Sequence, residues 1–284
     1  SGCRCAARRS PPESRMPKAL KGAFALGLRL TGRAVPLVLF GVVWQVLCSS
    51  GVVNRDFLPG PISVAAAFAD LFSGGDIAKN LFVTIFRAAA GLLVGAGCGV
   101  WIGLMMARSR SFKEYVMPIV GGTYSLPKSA LIPLFALWFG IGNVTAIAAV
   151  FLACLLPMIV NTYHGIVTTP KVLVWSAQAL GTSGREVWSR VYLRNALPDI
   201  FTGLRIALGF SFVLAISTEM IASTNGIGKL IFMYGENGAY DYMFAAIACV
   251  VVVAFFADRS LVLVTRRMLG WHESAAAEHK GRKA

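Results

Sequence analysis

The stretch Leu81 to Ala107 reads LFVTIFRAAAGLLVGAGCGVWIGLMMA and holds one charged residue, Arg87, in 27 positions. A bilayer's hydrocarbon core is crossed by about 20 apolar residues in a helix. This stretch is therefore read as a membrane span. Its glycines Gly91, Gly95, Gly99 and Gly103 recur at every fourth residue. That spacing puts all of them on one helix face, where a second helix can approach closely. A tight helix-packing seam is the expected use, with a substrate groove as the other reading.

Working outward, five more apolar stretches stand on either side. They run from about Ala34 to Val53, Val116 to Phe139, Val144 to Tyr163, Asp199 to Ala222 and Tyr242 to Val264. The whole chain of 284 residues is 56% apolar and 14% charged, against about 25% charged for a soluble domain. The net charge of +14 raises nucleic acid as a partner, but the basic residues sit between apolar segments and not in a patch with interleaved aromatics. Their placement follows the positive-inside rule instead. One set of alternate loops (the N-terminus to Arg33, Arg108 to Lys113, Lys171 to Arg194, the tail from Arg259) holds 21 Lys and Arg; the other set holds 3, Arg55, Lys79 and Lys229. The expectation is an all-α bundle of six spans with both termini cytoplasmic. Residues 1–33 form a basic cytoplasmic segment, 34–267 the transmembrane domain with a cytoplasmic loop at 168–198, and 268–284 a cytoplasmic tail. Ser1 to Arg15 is polar, basic and Pro-rich and is expected to be disordered, with Met16 as a candidate start; no cleavable signal is expected.

The third stretch differs from the others. Ser125, Leu126, Pro127, Lys128, Ser129 and Pro133 break regular hydrogen bonding in mid-membrane. Irregular backbone at that depth is tolerated where it is buried in protein or lines a cavity. A lysine there is costly and usually functional. Ser125, Lys128 and Ser129 are thus candidates for a translocation path, and Glu219, late in the fifth stretch, is a fourth. The competing reading pairs Lys128 with Glu219 or lets Lys128 snorkel to the interface.

Six cysteines give no disulfide framework and no metal site: Cys48, Cys98, Cys154 and Cys249 lie in or beside apolar runs, and Cys3 and Cys5 form a lone C-x-C. No His or carboxylate cluster suits catalysis; His164, His272 and His279 sit at a span end and in the tail. No catalytic residue is expected.

Between Tyr163 and Pro198 the text changes. Thr169-Pro170 suits a helix start, and the segment to Leu180 is helical in composition. Gly181 breaks it. Ser183 followed by Glu186 fits a capping box for a second short helix, ending near Asn195, before Pro198 opens the fifth span. Trp175, Leu180, Val187 and Trp188 stand among Arg185, Arg190 and Arg194. The projection is either an amphipathic hairpin lying on anionic lipid or a lever that docks on a soluble partner.

The run Ser176-Ala177-Gln178-Ala179-Leu180-Gly181-Thr182-Ser183, followed by Leu197-Pro198, resembles the EAA loop of ABC importer permeases. That pattern reads E-A-A, three residues to a Gly, and later an L-P pair. Trp175 stands where Glu is usual and Ser176 replaces the first Ala, so a dock through that acid is not available here. Phe57-Leu58-Pro59-Gly60-Pro61, the stretch Leu131 to Gly142 and the stretch Gly203 to Gly209 are similar to the nitrate, sulfonate and taurine branch of that family. The resemblance covers about Phe57 to Arg267.

The resemblance implies a bacterial inner-membrane permease of the type I importer fold, working as a homodimer. It implies two cytoplasmic ATPase subunits, which hold ATP and Mg, and a periplasmic substrate-binding protein. This chain has no G-x-x-x-x-G-K-[ST] loop of its own. The coupling residues implied are Trp175, Ser176, Ala177, Ala179, Leu180, Gly181, Thr182, Ser183, Arg185 and Glu186. The solute would be a small anion or zwitterion such as nitrate, an alkanesulfonate or taurine, or an aromatic acid; Lys128 in the path would favour an anion. An ion-coupled secondary transporter or channel is the alternative, but it needs ion-coupling carboxylates in the membrane, and essentially one, Glu219, is found there.

Overall fold

The computed structural model describes residues 35–36, 38–50 and 57–270. The N-terminal segment to residue 34 and the tail from residue 271 lie outside the described residues, as do the expectations placed on them. The chain divides into two units, Ser1–Pro61 and Ile62–Ala284. In the first unit, α1 (Val38–Ser49) is the helical part of the first expected span. Cys48, near its end, donates its thiol to the Leu58 carbonyl at 3.4 Å.

In the second unit the described residues form helices joined by short turns. They are α2 (Pro61–Ser73, beginning at the last residue of the first unit), α3 (Asp76–Arg108), α4 (Arg110–Tyr124), α5 (Ile132–Phe139), α6 (Asn143–Val167), α7 (Lys171–Ala179), α8 (Gly184–Val187), α9 (Leu193–Ala222), α10 (Ile227–Glu236) and α11 (Tyr240–Met268). A turn of 3-10 helix, Lys128–Leu131, precedes α5, and a π-helical segment, Trp188–Tyr192, joins α8 to α9. Four helical stretches are long and apolar enough to cross a membrane: Ile77–Arg108, Asn143–Val167, Gly184–Ala222 and Tyr240–Met268. They cover the second, fourth, fifth and sixth expected spans. Large apolar side chains such as Phe82, Leu93 and Trp101 on α3 and Val251, Phe256 and Leu263 on α11 are exposed on the bundle surface. On a water-soluble protein such faces would be an aggregation liability; in a bilayer they meet lipid or another helix.

At its centre, α6 packs along α3 on one side and α9 on the other. Ala149, Val150, Ala153, Cys154 and Met158 of α6 join Ala88 of α3 and Ala207, Phe212 and Ala215 of α9 in the main buried cluster. The glycine seam expected on α3 is what brings α6 close. A Cβ at Gly95 would lie 2.9 Å from Cys154 Cβ, and one at Gly103 2.7 Å from Thr162 Cβ. Gly91 and Gly99 meet Val150 and Met158 in the same way. Both rows ascend together, so α3 and α6 run parallel. Against α9, Gly165 of α6 meets Ala196 and Asp199 while Gly203 of α9 meets Asn161, so that pair is antiparallel.

The third expected span is broken as its sequence suggests: α4 ends at Tyr124, the chain turns at Ser125–Pro127, and α5 restarts at Ile132. Two proline expectations need correction. Pro133 sits in the first turn of α5, where a missing N–H costs nothing, so it opens a helix instead of breaking one. The second correction concerns Pro198, which does not open the fifth span. Helical backbone runs from Gly184 to Ala222, and Pro198 lies inside it. The wide turn at Trp188–Tyr192, where Leu193 N–H reaches back to the Trp188 carbonyl, carries the chain into α9 without a stop near Asn195.

Candidate coupling hairpin and translocation region

The hairpin that begins at Lys171 is built by two caps set back to back. At the end of α7, Gly181 takes φ +79°, a left-handed conformation open to glycine. Its N–H donates to the Gln178 carbonyl at 2.9 Å, and Thr182 N–H donates to the Ala177 carbonyl at 3.1 Å. Together these close a Schellman motif. Two residues on, Ser183 Oγ accepts from Glu186 N–H at 3.4 Å while Glu186 Oε2 accepts from Ser183 N–H at 3.4 Å, completing the expected capping box. The direction reversal is therefore fixed by local hydrogen bonds.

The two arms differ in exposure. On α7, Val172, Leu173 and Trp175 stand in solvent, and Leu180 at the tip is 86% exposed. Ser176, Ala179, Gly181, Ser183 and Arg185 are exposed as well, with Ala177, Thr182 and Glu186 half-buried. The second arm is anchored. Val187 is buried. Trp188 lies against Tyr192 with ring centroids 5.2 Å apart, and the Arg108 guanidinium sits 5.9 Å above the Trp188 ring. Asn195 Nδ2 donates to Thr169 Oγ1 at 3.2 Å, joining the root of one arm to the root of the other. Arg190 pairs with Glu186 at 3.3 Å. All ten coupling candidates thus lie on one projection, which presents exposed apolar side chains on the free arm and continues through the other arm into α9.

The four path candidates do not form one cluster of bonded groups. Ser125 and Ser129 are exposed at the break between α4 and α5. Lys128 is half-buried, its ammonium 5.6 Å from the Tyr124 ring centroid. Glu219 is fully buried, and the cation it meets is Arg87, not Lys128.

Arg87, the one charge of the second expected span, is not among the candidate site residues. Its guanidinium is 1% exposed and donates four bonds: Nε to Asn143 Oδ1 (2.8 Å), Nη1 to Glu219 Oε1 (2.9 Å) and to the Asn225 carbonyl (2.9 Å), and Nη2 to Asn225 Oδ1 (2.6 Å). The other Glu219 oxygen accepts from Thr84 Oγ1 at 2.8 Å and from Gly228 N–H at 3.0 Å. Thr84 Oγ1 in turn accepts from Ile227 N–H at 3.0 Å, and Asn80 Oδ1 from Gly226 N–H at 2.6 Å. A carboxylate thereby caps the first turn of α10, where helix N–H groups favour negative charge. A signal was present in the sequence. Asn80, Thr84 and Arg87 continue the glycine row of α3 toward its start at helical spacing, so a polar stripe had to enter the same buried face.

Comparison with known proteins agrees with this architecture. The family described as "Binding-protein-dependent transport system inner membrane component" matches residues 99–270. A putative aliphatic sulfonates transport permease protein of Bacillus subtilis is 32% identical over 245 residues, 86% of this chain and 88% of that relative. The taurine transport system permease protein of Escherichia coli is 30% identical over 258 residues, 89% of this chain and 94% of the relative. The nitrate import permease protein of Synechococcus elongatus is 29% identical over 245 residues, 82% of this chain and 87% of the relative. Among solved structures, a chain of the inward-facing MetNI methionine ABC transporter aligns with a TM-score of 0.61, covering 69% of this chain and 97% of that one; at 17% identity it bears on the fold alone. This chain belongs to the binding-protein-dependent transport system inner membrane components, as an ABC importer permease of the nitrate, sulfonate and taurine branch.

Proposed function

We propose that this permease imports a small oxyanion, of the sulfonate or nitrate class, across a bacterial inner membrane. Two copies form the path. Six spans per copy place both termini and the hairpin in the cytoplasm, in keeping with the charge asymmetry of the loops. A substrate-binding protein delivers the solute on the outer side. A pair of separate ATPase subunits, holding ATP and Mg, seats the hairpin from inside.

The observation that carries this reading is the hairpin itself. Its free arm offers Val172, Leu173, Trp175 and Leu180 to a partner, and its anchored arm is one continuous helix with α9. A helix of that kind transmits a displacement at the hairpin along the span. The usual acid is absent at Trp175, so the seat is apolar, with Arg185 at its edge. The oxyanion class rests on the relatives, which are permeases for aliphatic sulfonates, taurine and nitrate. Lys128, at the break between α4 and α5, is the cation that a path for such a solute would use, together with the hydroxyls of Ser125 and Ser129. Glu219 has its oxygens occupied by Arg87, Thr84 and Gly228 and serves the wall of the path, not its lining.

The test is co-purification. The tagged permease, expressed with the ATPase and binding-protein genes that neighbour its own, should retain the ATPase through detergent extraction. Its ATP hydrolysis should rise when the binding protein carries taurine, an alkanesulfonate or nitrate. A permease that recovers no ATPase would overturn the coupling reading, and a binding protein that takes none of these anions would overturn the substrate class.

A further inference from the structure

A buried ion pair is weak evidence for stability, because apolar residues of similar volume often serve as well; what the Arg87–Glu219 pair adds is a fixed geometry. Here the geometry is a fork with four donor contacts to three separate segments: the head of α6 through Asn143, the end of α9 through Glu219, and the connection between α9 and α10 through Asn225. The connection is shaped around the pair. Gly226 adopts φ +110°, and a Cβ there would fall on the Glu219 carboxylate; a Cβ at Gly228 would fall on the Ile216 carbonyl. Backbone N–H groups of Gly226, Ile227 and Gly228 are all consumed by Asn80, Thr84 and Glu219.

We propose that Arg87 is a positioning residue for transport: it locks the Ser223–Gly228 connection and the first turn of α10 to α3 and α6, so that this mouth of the path moves as one body with the central helices. The proposal rests on the coupling reading above for the direction of the force. The helix that leaves the hairpin at Gly184 ends at Ala222, one turn beyond Glu219. A push on the hairpin therefore arrives at the pinned connection. Without the fork, the α9–α10 connection is left with the Asn80, Thr84 and Glu219 contacts to its N–H groups and loses its tie to α6, so part of the displacement of α9 would be lost in it.

The substitution that separates positioning from charge balance is Arg87→Lys. Lysine keeps the charge opposite Glu219 but lacks the planar fork. Spin labels are placed at Lys79→Cys on α3 and Glu236→Cys on α10, both exposed positions, with the native cysteines replaced. The assembled transporter is measured ATP-free and after trapping with ATP and vanadate. With labelled permease diluted by unlabelled copies so that the distance within one copy is read, the parent should give one narrow distance, the same in both states. Arg87→Lys should broaden it already in the ATP-free state and shift it on trapping. A parent distance that changes on trapping, or an Arg87→Lys distance as narrow and invariant as the parent's, overturns the proposal. Should Arg87→Lys not assemble, Asn225→Ala removes the 2.6 Å side-chain contact while leaving the ion pair and the bond to the residue 225 carbonyl; it should broaden the ATP-free distance to a smaller extent, and a distance as narrow as the parent's overturns the proposal. Failure of the coupling reading would show instead as loss of the ATPase partner, with the ATP-free distances still diagnostic.

Discussion

Arg205 of α9 holds Asp258 of α11 through two bonds, Nε to Oδ1 at 2.6 Å and Nη2 to Oδ2 at 2.9 Å. The side chains are 58% and 30% exposed on the bundle surface, at the edge of a groove lined by Leu208, Phe212, Val250 and Ala254. Removing one partner leaves a lone charge among apolar neighbours; removing both does not. Asp258→Leu should lower the melting temperature of the detergent-solubilised protein, while Arg205→Met with Asp258→Leu should recover most of that loss. Equal melting of the single and double variants would show that the unpaired Arg205 charge is not what destabilises Asp258→Leu.

The helix seam makes a steric prediction. Gly99→Ala would press a Cβ into Met158 and to 2.9 Å from the Leu155 carbonyl, and should cost about 1–3 kcal/mol, the usual penalty of overpacking. Gly97→Ala, with nothing near its new Cβ, should be neutral or gain up to about 1 kcal/mol from helix propensity. Thermal unfolding of the two variants side by side measures the difference. Indistinguishable melting would mean that α3 and α6 can part without cost.

At Gly181 the expected outcome is functional. Proline is locked near φ −65° and has no N–H, so Gly181→Pro loses both the left-handed turn and the bond to Gln178. The hairpin lies outside the bundle core, so the protein should still assemble while ATP hydrolysis no longer drives uptake. Uptake and hydrolysis measured in the same proteoliposomes test this, and normal coupling would count against the lever.

Trp175→Glu restores the residue type common at this place in the family. Trp175 is 62% exposed, so expression and melting should hold. An apolar seat should then lose ATPase, read as a lower ratio of ATPase to permease after purification. An unchanged ratio would put the contact elsewhere on α7.

Lys128→Met removes the one cation at the α4–α5 break. Uptake of the anion should fall while assembly with the ATPase persists. Unchanged uptake together with unchanged stimulation of ATP hydrolysis would take Lys128 out of the path.

What the sequence made legible was what local chemistry decides. The glycine row, the break at Ser125–Pro127, the turn at Gly181 and the Ser183–Glu186 capping box are each set by residues within a few positions of one another, and each stands where expected. The sequence places the end of the second hairpin helix too early, because Pro198 is a strong breaker in isolation, whereas packing of α9 against α6 carries helix through it. Glu219's partner was missed for a related reason. Its cation lies 132 positions earlier, and no periodicity within one helix joins two residues that meet only when three helices and a connection have assembled.

The seam between α3 and α6 is a ruler with identical graduations. Its contacts repeat every four residues on both helices, so sliding one helix past the other by a single graduation would again set glycine against a side chain in most places. Small residues grant closeness but carry little information about alignment. That information is supplied where the graduations stop, at the Arg87–Asn143 contact, which a slip of one graduation would pull apart. Two helices inserted into the bilayer separately could thus meet out of step and remain mobile until that contact forms, after which the pairing has one solution.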